Sequence, residues 1–191
     1  MGACLVAPLL LILALMAVGP GPAATHPNDF RPTGLKDAPI RALLARAADL
    51  EGAGRLDEAI LAFDQVLARD PASAEAYLGR GLAFERKGLY DRAITDLGRA
   101  LLLKPDDAAT LESRAVAEDQ KGRYGLAIED YSRAMAVGAQ SAELSFNRGA
   151  AFEHARLYPK ALADYRRALA LDPALAAAAE GVRRLSARPA P

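Results

Sequence analysis

AEAYLGRGLAFERKGLYDRAITDLGRALLLKPDD, residues 74–107, decides how this chain folds. Slid by its own length of 34 residues in either direction, it meets the same residue types again. Small residues fall at Ala47, Gly81, Ala115 and Gly149, and alanines at Ala59, Ala93, Ala127 and Ala161. Each of those alanines is followed by a large aliphatic: Ile60, Ile94, Ile128 and Leu162. Bulky residues recur at Leu56, Tyr90, Tyr124 and Tyr158, and again at Phe63, Leu97, Tyr131 and Tyr165. Arg46, Arg80, Arg114 and Arg148 form a ladder in the same register. Pro71, Pro105 and Pro173 close three of the units, and Ala139 takes that place in the other. The frame divides the chain into residues 40–73, 74–107, 108–141 and 142–175 without a gap.

These columns have a physical meaning. Each unit holds two amphipathic helices of roughly thirteen residues, joined by a tight turn. Gly54, Gly88 and Gly122 supply the turns, and Arg156 stands in their column without glycine's freedom. Pro159 lies near the start of the following helix, where proline is tolerated. Small residues let two backbones approach, while the aliphatic and aromatic columns fill the space between helices and against the next unit. One pair cannot bury its apolar face alone, so stacking of units supplies the core. After Pro173 an alanine-rich run with Val182 and Leu185 as apolar anchors reads as a capping helix, residues 176–186. The expected fold is therefore all-α: a solenoid of four helix pairs plus a C-terminal capping helix.

Composition narrows the function. Acidic and basic side chains balance at 24 each in 191 residues, so no net basic field attracts nucleic acid. Aromatics are 6%, thin for a base-stacking surface. The single cysteine, Cys4, builds neither a disulfide framework nor a metal site.

The first residues carry a different signal. LVAPLLLILALMAV, residues 5–18, is short for a membrane span but fits the apolar core of an export signal. The run GPGPAA at residues 19–24 follows, and cleavage after Ala23 gives a signal peptide of residues 1–23. No Lys or Arg precedes the apolar core, which leaves an uncleaved membrane anchor as the alternative. The MGAC start lacks Ser or Thr at residue 6, where a myristoylation pattern wants one. Residues 24–39 read as an irregular leader. The expected location is the periplasm or outside the cell, with membrane contact only through the signal or the anchor.

At these columns, and in FNRGAAFEHARLYPKALADYRRALALDP at residues 146–173, the chain resembles the tetratricopeptide repeat family, closest to exported bacterial forms. The resemblance covers residues 40–175 and implies a right-handed superhelix. The family's usual first aromatic is present only at Tyr77, with Leu43, Leu111 and Ser145 elsewhere. Unit three departs furthest. Glu118 stands where a bulky apolar residue is usual, and Ala139 replaces proline, which puts its packing in question.

By resemblance, the first helix of each pair lines a concave groove that binds a protein or peptide. The groove positions are Leu44 and Glu51 in unit one, and Glu75, Leu78, Leu82 and Glu85 in unit two. Unit three contributes Glu112, Val116 and Asp119; unit four contributes Glu143, Phe146, Asn147 and Glu153. They suggest an apolar groove with an acidic stripe, suited to a basic and apolar peptide. The alternative is a solvated face whose acids sit beside arginines. A carboxylate clamp, known in some family members, is matched only in part by Asn147. Asp96, Asp130 and Asp164 share the period of the arginine ladder, and structural Arg–Asp pairs follow. Unit one has Ala62 there, so Arg46 should be more exposed.

No catalytic set, cofactor site or metal site is expected. His26 and His154 are the only histidines, and His154 has no second histidine to form HExxH. The expected role is a non-catalytic adaptor or scaffold in the cell envelope. A structural subunit without exchangeable ligands is the alternative, and self-association through an open solenoid end stays open.

Overall fold

The computed structural model describes residues 37–188, and the expected signal peptide and most of the leader lie outside them. Among the described residues the chain is helical throughout: α1 (Asp37–Gly52), α2 (Leu56–Arg69), α3 (Ala74–Arg86), α4 (Tyr90–Leu103), α5 (Ala108–Gln120), α6 (Tyr124–Ala136), α7 (Ala142–His154), α8 (Tyr158–Leu171) and α9 (Ala176–Ser186). Helix α1 begins at Asp37, so the last three residues read as leader belong to the first helix. Pro39 does not prevent this. It lies in the first turn, where its missing N–H would have no intrahelical acceptor.

Each helix packs on the next, and first helices of neighbouring units also touch: α1 on α3, α3 on α5, α5 on α7. That arrangement places the first helices on the inner side of a stack of four pairs. Helix α9 closes the open end against α8, with Leu185 buried and Val182 packed beside Phe152 and Tyr165.

The repeated columns are the core. Ala59, Ala93, Ala127 and Ala161 are fully buried. The bulky column of the second helices, Phe63, Leu97, Tyr131 and Tyr165, is buried as well. Its side chains are matched by small neighbours: a Cβ added at Gly81 would come within 2.8 Å of Leu97, and one at Gly79 within 2.2 Å of Phe63.

Arg–Asp pairs hold helix to helix within units two to four. Arg80 donates from Nε and Nη2 to Asp96 at 2.6 and 2.8 Å, and Arg114 to Asp130 at 2.7 and 2.7 Å. Arg148 donates to Asp164 at 2.7 and 2.8 Å. The fork fixes orientation as well as distance. The aspartates are buried and the arginines half-buried, whereas Arg46, facing Ala62, is exposed as the sequence predicts. A lone buried carboxylate would be costly, so the pairs are better read as geometry than as extra stability.

Helices start and stop by two devices. Ser73, Asp107 and Ser141 cap α3, α5 and α7, each side chain accepting from the backbone N–H three residues on. Within units, the chain reverses through a left-handed residue, and the next N–H returns to a carbonyl five residues back, as in Leu89 to Phe84 at 2.9 Å. Gly122 takes φ +72° there, and Arg156 takes φ 60° in the same turn.

Unit three accommodates Glu118 differently from its neighbours. Phe84 and Phe152 occupy that column in units two and four, under the cations of Arg92 and Lys160. Glu118 is only 5% exposed, and Arg123 Nη1 donates to it at 3.2 Å. Leu126 sits where the neighbouring units carry Arg92 and Lys160, so charge and apolar surface have changed places. A cleft of about 290 Å³ remains, lined by Arg114, Glu118, Leu126, Glu129 and Asp130.

Left-handed backbone costs a non-glycine residue about 1–2 kcal/mol, partly offset by glycine's greater freedom in the unfolded chain. Arg156→Gly should therefore stabilise the protein by about 1 kcal/mol, raising the thermal midpoint by about 2–4 °C. Thermal unfolding followed by circular dichroism checks it; an unchanged or lower midpoint would show that the turn is not strained by Arg156.

Candidate groove site

The groove face is built from the first helices. Leu78, Leu82, Val116 and Phe146 are half-buried along it, and Leu44 adds a further apolar residue at the unit-one end. The Phe146 ring lies against Tyr165, centroids 5.5 Å apart. Asn147 is half-buried in the column that holds Gly79 and Gly181, the residues set against Phe63 and Tyr165.

The acids do not form one continuous stripe, because most of them are already paired. Arg86 donates to both the carboxylate and the backbone carbonyl of Glu51. His154 Nδ1 lies 3.1 Å from Asp119 Oδ1, with its ring 5.0 Å from that of Tyr124. Arg184 of the capping helix donates to both oxygens of Glu153 at 2.9 and 2.8 Å, and Tyr165 donates to the same carboxylate at 2.7 Å. Glu75, exposed, meets Lys104 at 3.1 Å. To this extent the solvated-face alternative describes Glu51, Glu75, Asp119 and Glu153.

The middle is different. Glu85 sits in the column of Glu51, Asp119 and Glu153, but Gln120 stands where Arg86 and His154 serve the neighbouring units. No ion pair forms to Glu85, Glu112 or Glu143 among the described residues. Burial pushes the Glu85 carboxyl above its ordinary range. Burial, then the charge of Glu143, does the same to Glu112. At the capped end the sign reverses: hydrogen bonds from Arg184 and Tyr165 hold Glu153 below its ordinary range.

Tyr131 belongs to this middle region, and sequence reasoning placed it only in the core. It is 2% exposed. Burial, then the charges of Asp119, Glu112 and Glu85, pushes its phenol far above the usual range. Tyr165, one unit on, donates to Glu153, whereas Tyr131 makes no side-chain hydrogen bond among the described residues. Among the described residues no sealed side-chain nitrogen or oxygen lacks a partner, so the Tyr131 hydroxyl is not fully sealed, and the charges that act on it are those of the groove acids Asp119, Glu112 and Glu85. Arg184 and Tyr131 lie outside the positional pattern of the groove, whereas Arg86 and His154 stand in the column directly after the acids, and position alone did not show that each pairs with the acid of the preceding unit. The signal was present as a spacing: each pairing Arg86–Glu51 and His154–Asp119 spans 35 residues, one repeat plus one.

Among the described residues no group of His, Cys, Asp and Glu is close enough to hold a metal ion, and no helix is long and apolar enough to cross a membrane.

The family model for the tetratricopeptide repeat matches residues 44–110 and 112–176. The chain belongs to the tetratricopeptide repeat family. No curated protein sequence matches it. Among solved structures it is similar to MamA, with a TM-score of 0.72 at 22% identity, covering 76% of this chain and 80% of that one. It is also similar to YrrB, described as a TPR protein with an unusual peptide-binding site, with a TM-score of 0.69 at 21% identity and coverage of 76% and 75%. At these identities the likeness shows the fold alone. The first TPR domain of Spaghetti, solved with the peptide SRMEEVD, gives a TM-score of 0.57 at 26% identity over 59% of this chain and 90% of that one.

Glu85 also makes a prediction about stability. Its folded pKa is raised, so above that pKa the ionised carboxylate disfavours the folded state, and the cost fades as pH falls through it. Glu85→Gln should raise the thermal midpoint near neutral pH and lose that advantage toward about pH 4. Unfolding curves of both proteins across that range check it; a constant difference would mean that the carboxylate is solvated.

Proposed function

We propose that the chain is a non-catalytic scaffold that binds a partner protein or peptide along the groove of its first helices. The observation that carries this reading is the middle of the groove. Half-buried apolar side chains, Leu78, Leu82 and Val116, lie among carboxylates, Glu85 and Glu112, that have no ion-pair partner among the described residues. Leaving charge and apolar surface in that state costs stability, and a ligand with basic and apolar side chains removes both costs at once. The peptide bound by the Spaghetti domain is rich in acidic residues. An acidic segment of that kind would be repelled here, so the ligand of this groove differs in charge.

The apolar segment at residues 5–18 supports placing this scaffold in the cell envelope, exported through a signal peptide cleaved after Ala23. Intact mass of the chain recovered from its source cells tests that placement. A mature form starting at Ala24 is expected, and retention of residues 1–23 would sink the secreted reading.

The groove itself is tested by Leu82→Lys, which replaces a half-buried groove side chain outside the apolar core clusters by a cation that repels a basic ligand. Crosslinking in intact cells should recover partners with the parent chain and at least tenfold less with the variant, while circular dichroism stays unchanged. Equal recovery would move binding to another face. Glu153 is unsuitable for such a test, because it anchors the capping helix through Arg184.

A further inference from the structure

We infer that the middle of the groove is a socket for one arginine side chain of the bound peptide, held by Glu85, Glu112 and Asp119 around the Tyr131 hydroxyl. This deepens the groove reading above and rests on it.

The chain itself shows how such a socket is filled. At the capped end Arg184 lays its guanidinium on Glu153 through two hydrogen bonds, and Tyr165 donates to the same carboxylate. Moving back by one repeat turns Tyr165 into Tyr131, Glu153 into Asp119 and Arg184 into Ala150. The carboxylate and the phenol are kept, and the cation is missing. Asp119 is also one methylene shorter than Glu153. Tyr131, although 2% exposed, is left without the hydrogen bond that Tyr165 makes. An arginine entering from a partner would give the phenol oxygen a donor and the carboxylates a counter-charge.

The surroundings select the kind of cation. Asp119 already holds His154, but Glu85 and Glu112 have no ion-pair partner among the described residues. These carboxylates are spread over α3 and α5, with none of the close grouping a metal ion requires. A guanidinium is planar and carries five N–H donors over several ångströms, so it can meet separated acceptors at once. An ammonium is a compact point charge and meets fewer of them. Half-buried Leu82 and Val116 lie on the same two helices and offer apolar surface to the arginine stem.

The test uses an acetylated, amidated leucine–arginine–leucine peptide and its lysine and citrulline counterparts. The protein carries 13C at tyrosine Cζ, and Tyr131→Phe assigns the resonance. The arginine peptide should shift the Tyr131 signal saturably, and the citrulline peptide should bind at least tenfold more weakly. The lysine peptide should fall between them. Glu85→Gln with Glu112→Gln should weaken the arginine peptide at least tenfold. Ala150→Arg, which supplies the guanidinium from α7 as Arg184 does from α9, should shift the Tyr131 signal without peptide and abolish the response to it.

Equal binding of arginine and citrulline peptides would overturn the socket, as would arginine binding that is indifferent to the glutamine pair or leaves Tyr131 unmoved. If that happens while Leu82→Lys still lowers partner recovery at least tenfold, the groove stands and only the socket falls. If Leu82→Lys has no effect either, the groove reading fails with it.

Discussion

The ring of Tyr165 is wedged between two glycines that have no side chain to yield. A Cβ at Gly149, on its own unit's first helix, would come within 2.9 Å of the ring, and one at Gly181, on the capping helix, within 2.6 Å. Phe63 against Gly79 and Leu97 against Gly81 repeat parts of the same arrangement. The wedge is what makes four pairs into one body. A single pair exposes that large side chain, and only the next first helix covers it. Close approach of the helices then brings Arg80, Arg114 and Arg148 within reach of their aspartates, and puts consecutive first helices side by side to form the groove.

Most of this framework was legible because it repeats. The alanine column, the bulky second-helix column and the Arg–Asp spacing recur at one period, and each position has one physical role. Even the exposure of Arg46 followed from Ala62 in the partner position. The departures were visible but not their resolution. Glu118 in an apolar column was evident from the sequence; Arg123 reaching it, and Leu126 taking the place of a cation, required coordinates. Arg156 in a glycine column was equally evident, and the backbone adopts the left-handed turn regardless.

The groove was less legible, for a geometrical reason. Glu51, Glu85, Asp119 and Glu153 occupy one position of the repeat, but the partners of Glu51 and Asp119 lie on the following unit, in a column that varies through Arg86, Gln120 and His154, and Glu153 is met from outside that column by Arg184 of the capping helix. Whether an acid is paired depends on how neighbouring units are rotated, which a period does not state. The acidic stripe read from position alone therefore resolves into paired acids, Glu51, Glu75, Asp119 and Glu153, and acids without an ion pair among the described residues, Glu85, Glu112 and Glu143. Tyr131 reads as a core residue in the repeat, and it is buried as one, yet the groove acids Asp119, Glu112 and Glu85 act on its phenol.

The electrostatic contrast between the two ends of one motif ties structure to function. Glu153 has its cation and Tyr165 its acceptor, and the capping helix is held in place as a result. Among the described residues Glu85 and Glu112 have neither, and burial raises the cost of their charge. The most direct measurement of this account is a crystal structure with the arginine peptide bound. It should show the guanidinium among Glu85, Glu112 and Asp119 with the Tyr131 oxygen in hydrogen-bond range. Density for the peptide on the outer face, or at the end of the solenoid with that middle region untouched, would contradict it.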